Sequence, residues 1–133
     1  MSEEAVFTYD HYEPGKLYGS SEFTVDEKTV AKWRSVYPAD NDPGLMPAGM
    51  TAMISVDAIL THQSPRPSGG VHGGQSFDMH RMPRIGETLI TEVRCINKEI
   101  RKGRKWAYSQ TRTTSKDTGE LLFTGIMTSL VAE

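Results

Sequence analysis

The sequence predicts an α+β protein, an antiparallel sheet with one early strand and a buried helix placed between that strand and the rest. Three observations predict it. The 133 residues leave little room for two independent hydrophobic cores. The chain changes character near residue 70, broken and turn-rich before it and strand-like after it. Between Gly49 and Thr61 lies the run Met50-Thr51-Ala52-Met53-Ile54-Ser55-Val56-Asp57-Ala58-Ile59-Leu60, almost entirely apolar or small.

Taken in order, residues 1–12 read as a short extension, and the β-formers from Tyr18 to Val25 predict an early strand. Thr24 and Asp26 are candidate caps, and Val30, Trp33 and Val36 share one helical face, so a helix is expected from Glu27 to Val36. Pro38 and the stretch Asp40-Asn41-Asp42-Pro43-Gly44 favour turns and end that helix in a polar loop carrying two carboxylates. The apolar run Met50 to Leu60 then predicts a helix buried on most sides. Ser64 to Gly70 reads as an irregular connection. Val71 to His80, Glu87 to Ile100, Lys105 to Ser115 and Glu120 to Val131 are rich in Thr, Val, Ile and aromatics with partial alternation, which predicts four strands. Lys102-Gly103-Arg104 and Asp117-Thr118-Gly119 supply hairpin turns between the last three.

Composition narrows the function classes. An apolar share of 37% with 24% charged residues fits a soluble globular chain. No apolar run approaches the ~18 residues that crossing a bilayer requires. The start Met1-Ser2-Glu3-Glu4 lacks the basic head and apolar stretch of a secretory signal, so a cytoplasmic location is expected. A net charge of −2 gives no overall drive toward nucleic acid or anionic lipid. The lone Cys95 permits no internal disulfide and reads as a buried small residue. His72 and His80, if they share an extended strand, stand roughly 26 Å apart, too far for a common ion. No Gly-rich phosphate loop, nucleophile elbow, zinc-protease motif or Cys/His pairing is present, which sets aside redox and kinase chemistry.

Several residues carry chemistry beside a plainer reading. Asp40 would orient a water, with Asp42 raising its pKa by like-charge repulsion; equally, both carboxylates would cap turns in a Pro-Gly loop. Gly49 opens the apolar helix, where free amides can donate to a carbonyl or to a developing enolate oxygen; equally, Pro47-Ala48-Gly49 simply turns the chain. His72, beside Gly73-Gly74, would face a substrate cleft, with His62 a weaker candidate for the same role. Arg101-Lys102-Gly103-Arg104-Lys105 sets four cations in five residues, enough to attract coenzyme A phosphates or an acidic carrier surface, or to stand solvated at a hairpin tip. Arg81 and Arg84, flanking Met82-Pro83, are alternative phosphate contacts.

The order of strand, short helix, aspartate-proline loop, Pro-Gly start of an apolar helix and long antiparallel strands resembles the hot-dog fold of the MaoC-like hydratases and dehydratases. The sharpest part is Val71-His72-Gly73-Gly74-Gln75-Ser76-Phe77 followed by His80-Arg81-Met82-Pro83-Arg84-Ile85-Gly86-Glu87-Thr88-Leu89, which is similar to the N-terminal MaoC dehydratase type. The resemblance runs from about Glu13 to the end and treats residues 1–133 as one domain with a curved sheet wrapped around the apolar helix. The family's hydratase signature is an Asp, two residues, a Pro, and a His two positions beyond the Pro. Here Asp40 and Pro43 match, Asp42 takes the usual Asn position, and Leu45 stands where His would be.

The resemblance implies reversible addition of water to a 2-enoyl thioester. Coenzyme A or an acyl carrier is then part of the substrate, and no separate cofactor is needed. Gly49 would bind the thioester oxygen, with Asp42 and Met50 among the substrate contacts. His72 with Gln75 would shape the acyl channel, His72 standing in for the absent histidine. Pairing with an identical or different hot-dog subunit would cover an apolar helix flank and a sheet edge, and in the family it builds the active site. A non-catalytic acyl-binding subunit and a hot-dog thioesterase are the alternative readings.

Overall fold

A computed structural model describes residues 6–132. After a 3-10 turn at Tyr9–His11, the elements are β1 (Leu17–Thr24), α1 (Glu27–Val36), α2 (Met50–His62), β2 (Val71–Met79), β3 (Thr88–Arg101), β4 (Arg104–Ser115) and β5 (Leu121–Leu130). One antiparallel sheet runs in the order β1-β3-β4-β5-β2, so the expected α+β layout is observed and β2 closes one edge. Asp26 caps α1, its Oδ1 accepting the Thr29 amide at 2.6 Å, because a short carboxylate just outside a helix satisfies an amide with no intrahelical partner.

Helix α2 lies against β3, β1 and β4. It buries Met50, Thr51, Ile54, Ser55, Ala58 and Ile59, a stripe at helical spacing. The sheet accepts it because β4 turns the small residues Ala107, Ser109, Thr111, Thr113 and Ser115 inward. Their hydroxyls are paired in the dry layer: Thr111 donates to Ser55 at 3.1 Å, Ser109 donates to Gln63 Oε1 at 2.9 Å, and Thr91 and Thr113 bond at 2.8 Å. The larger core groups are Leu89, Leu122, Phe123 and Met50 at one end of the helix, and Ala58, Ile59, Val93 and Met127 at the other. Cys95 is buried, as expected, in a third cluster with Tyr12, Ala107 and Val131.

One expectation needs correction. Helix α2 is not buried on most sides: Ala52, Met53, Asp57 and Leu60 face outward, with Met53 36% and Leu60 47% exposed. The expected uncovered flank is therefore there: Met53 and Asp57 stand beside Ser21 and Phe23 of β1, and Leu60 beside Val71 of the open edge strand β2, where Val71 and Met79 are exposed. Residues 6–12 of the short N-terminal extension pack onto the domain, and residues 1–5 lie outside the described residues. Phe7 donates its amide to the Pro65 carbonyl at 2.6 Å, and Tyr12 is 2% exposed. Aromatic burial outweighs the order lost in fixing this short segment. No helix among the described residues is long and apolar enough to cross a membrane.

Candidate functional site

The loop between α1 and α2 is held from within. Arg34, in the last turn of α1, donates from Nε to the Asp40 carbonyl and from Nη2 to the carbonyls of Asp42 and Leu45, at 3.2, 2.7 and 3.2 Å. That clamp turns the Asp40 side chain toward the start of α2. Its Oδ1 accepts the Ala48 amide at 2.8 Å, and its Oδ2 accepts the Gly49 amide at 3.0 Å and the Trp33 indole N–H at 3.3 Å. The next two amides are also used: Met50 donates to the Pro47 carbonyl and Thr51 to the Ala48 carbonyl.

This arrangement corrects three expectations. The Gly49 amide is not open to a thioester oxygen, because one N–H makes one strong bond and Asp40 already takes it. The glycine's bareness serves an indole: a Cβ here would stand 2.6 Å from Trp33 Cζ2. Asp42 does not push Asp40 upward. The Gly49 amide first, with Ala48, Trp33 and Arg34 adding to it against some desolvation, holds the Asp40 carboxyl below the usual carboxylate range. Met50 is 0% exposed and belongs to the core. Asp42 itself is exposed, and Leu45 forms an isolated antiparallel bridge with Arg84.

His72 sits at the opposite end of the helix. It pairs with Ser129 of β5, beyond Met127, which packs against Ala58 and Ile59 in the later turns of α2. A thirteen-residue helix is roughly 20 Å long, so Asp40 and His72 of one chain do not meet on one water. His72 donates from Nε2 to the Gly74 carbonyl at 3.0 Å across a bulge in β2. The bulge glycine Gly73 has a packing reason, since a Cβ would press on Trp106 at 3.0 Å. His62 is also engaged, its Nε2 2.8 Å from Ser21 Oγ of β1.

Around His72 lies a cavity of about 420 Å³. Val56, Leu60, Met127, Leu130 and Val131 give it apolar walls, and Arg66 and His72 add polar groups. Ser129 also lines it; this residue is 5% exposed and its hydroxyl has no partner. Gln75, on the same inward row of β2 as His72, has both amide atoms buried without a partner. Buried polar groups left unpaired cost free energy unless something else meets them. Sequence reasoning missed Ser129, Leu60, Met127, Arg66 and Trp33. The available signal was Ser129 in the inward row Phe123, Gly125, Met127, Val131, where a hydroxyl breaks an otherwise apolar or small alternation.

The arginines divide. Arg81 donates to both carboxylate oxygens of Glu87, at 3.1 and 2.8 Å, and to Glu120 at 3.1 Å. These bonds raise its pKa further and hold Glu87 down to about 2. A guanidinium already forked onto one carboxylate and shared with another is not an open phosphate contact, so that expectation is corrected. Arg84 is exposed and makes no ion pair among the described residues.

No family model matches the sequence, and no curated protein matches it. Solved structures do. The R-hydratase PhaJ1 from Pseudomonas aeruginosa aligns over 96% of this chain and 87% of its own, with a TM-score of 0.73 and 17% identity. The chain has the hot-dog fold. A MaoC-like dehydratase from Rhodospirillum rubrum aligns over 95% and 97%, with a TM-score of 0.74 and 15% identity. The HadBC 3R-hydroxyacyl-ACP dehydratase complex from Mycobacterium tuberculosis aligns over 88% and 96%, with a TM-score of 0.71 and 16% identity. Thioesterases share this hot-dog architecture too: zebrafish thioesterase superfamily member 2 aligns over 85% and 73%, with a TM-score of 0.58 and 24% identity.

Proposed function

We propose that this chain is the acyl-binding half of a hot-dog hydratase or dehydratase pair, and that a second hot-dog subunit supplies the water-activating Asp and His. The observation that carries the reading is the closed start of α2. Asp40 spends both oxygens on the Ala48 and Gly49 amides, the Trp33 indole packs against Gly49 so closely that no Cβ would fit, and Leu45 takes the place a histidine would need. A carboxylate that neutralises a helix start and is held in its charged form is a poor proton acceptor near neutral pH.

The binding half of the reading rests on the other end. The 420 Å³ cavity falls within the range of about 300–1,000 Å³ typical of small-molecule sites. Its apolar walls suit a hydrocarbon chain, and the unpartnered Ser129 hydroxyl suits an oxygen carried on or beside it. A partner seated along β2 would cover Leu60, Val71 and Met79. HadBC, a complex in its own description, offers a precedent for such a pair.

The test is an assay of the purified chain with crotonyl and longer enoyl thioesters, following loss of the double bond and release of free thiol separately. The expected result is saturable binding without turnover, and hydration once a hot-dog subunit carrying the intact Asp and His is added. Hydration by the chain alone that Asp40→Asn abolishes with the fold intact would overturn the reading. Steady thiol release would favour the thioesterase alternative.

A further inference from the structure

The cationic hairpin between β3 and β4 plays no part in the reading above. Lys98, Arg101, Lys102, Arg104 and Lys105 against the single Glu99 give residues 98–105 a net charge of +4. The whole chain carries −2, so all the remaining residues together carry −6. This is a concentrated positive end on an otherwise acidic molecule. Residues 100–104 are exposed throughout, and Lys102, Arg104 and Lys105 make no ion pair among the described residues. Arg101 reaches Glu99 only at 3.8 Å and lies over the Trp106 ring, 5.0 Å from its centre.

The patch is not purely ionic. Ile100 is 64% exposed and Ile96 40%, and Ile100 pairs with Lys105 across the hairpin. An apolar anchor ringed by cations is the anatomy of a protein interface, not of a phosphate pocket, which needs donors that converge. The cations are spread instead over both faces of the tip: Lys98, Ile100 and Lys105 share the inner row with buried Ala107, whereas Arg101, Arg104 and Trp106 share the outer one.

The position of the tip says what it would serve. The Lys105 carbonyl accepts the Val131 amide at 2.9 Å, and Trp106 pairs with Leu130; both partners line the 420 Å³ cavity. Lys98 bonds the Tyr9 carbonyl at 3.1 Å, in the N-terminal segment whose Phe7 and Tyr12 line the same cavity. A molecule docked on the tip therefore sits beside the cavity.

We infer that the β3–β4 hairpin is a docking surface for a small acidic protein that carries the acyl group on a flexible thioester arm and delivers it to the neighbouring cavity. The inference rests on the acyl-binding reading and names the form in which the substrate arrives.

The experiment measures binding of the full chain to an acyl carrier protein in its apo form, which has no acyl group to offer the cavity, over a range of salt concentrations. The expected result is binding that weakens steeply with salt, because exposed charges are screened within about 8 Å at physiological ionic strength. Lys102→Glu with Arg104→Glu should weaken it about tenfold or more, and Ile100→Ser several-fold at every salt concentration. Arg112→Glu, an exposed reversal elsewhere on β4, should stay within about twofold. Thermal unfolding of each variant confirms the fold, and Arg104→Glu alone serves if the double variant does not fold. Three results would overturn the inference: no carrier binding at low salt, equal binding by wild type and double variant, or loss in the double variant of binding to vesicles with half their lipid phosphatidylglycerol but not to the carrier. An acyl-pantetheine thioester, which has neither phosphate nor protein, separates the two layers. If it binds and the carrier does not, the hairpin inference alone fails; if it does not bind, the acyl-binding reading fails first.

Discussion

The two ends of α2 have been finished in opposite ways. At the start, every amide from Ala48 to Thr51 has a partner, the carboxylate that serves two of them is clamped through its loop by Arg34, and an indole packs against the one glycine. There only the Thr51 hydroxyl is buried without a partner, whereas toward the far end the Nε2 of Gln63 and the Ser129 hydroxyl are both left over, the latter in the wall of an apolar cavity. Satisfied groups stabilise a fold and leave little to offer a ligand. Unsatisfied ones cost stability and supply the binding energy when a ligand arrives. On the proposed reading, the end where Asp40 and Pro43 match the hydratase signature serves the fold and the end without a motif serves binding.

Substitutions at the two ends should therefore dissociate stability from binding. The largest effect is expected near the closed end, from Arg81→Ala. It leaves Glu87, 13% exposed, without the fork that keeps it charged, and unfolding free energy should fall by about 2 kcal/mol, below the value for fully buried pairs because Glu120 is half exposed. Chemical denaturation measures this, and no loss of stability would mean that the network is incidental. Asp40→Ala should follow, costing about 1–2 kcal/mol because two amides lose their acceptor, while thioester affinity by calorimetry stays within about twofold. The reverse pattern, full stability with affinity reduced tenfold, would make Asp40 a ligand group and break the comparison.

At the open end, Ser129→Val should do the opposite. Removing a buried, unpartnered hydroxyl should raise stability by about 1 kcal/mol and weaken thioester binding by about tenfold. Gain in both, or loss in both, would place Ser129 outside the site.

The pH dependence sharpens the same contrast. The carboxyls of Glu87 and Asp40 are both held below their ordinary values, so the stability they contribute is present in full above about pH 4.5 and is lost as pH falls toward 2. A urea midpoint followed from pH 6 to pH 2.5 should drop, and Glu87→Gln should flatten the lower part of that curve. Wild-type stability that rises on acidification would contradict the assigned pairing.

Much of this fold was legible beforehand. Alternation marked the four late strands to within about a residue or two at most ends, and the Asp26 cap with the Val30-Trp33 spacing fixed α1 at Glu27–Val36. Leu45 in the place of histidine already pointed away from independent catalysis, and Asp40 was visible both as a candidate base and as a cap. What could not be read was which of the two it is. The answer depends on Trp33, seven residues earlier, and on the amides eight and nine residues later, all in reach only once Arg34 has folded the loop. Arg81 was equally ambiguous, because one of its two carboxylate partners lies thirty-nine residues away on the far side of a hairpin.

By itself, then, the sequence determined where helices and strands begin, and that a flank and an edge would be left uncovered, since these follow from periodicity and capping among near neighbours; which sides of α2 are buried it did not. Only the tertiary structure decided which donor meets which acceptor. An amide, a carboxylate or a guanidinium has several possible partners along the chain, and packing selects among them by bringing some within 3 Å and leaving others, such as the Ser129 hydroxyl, with none.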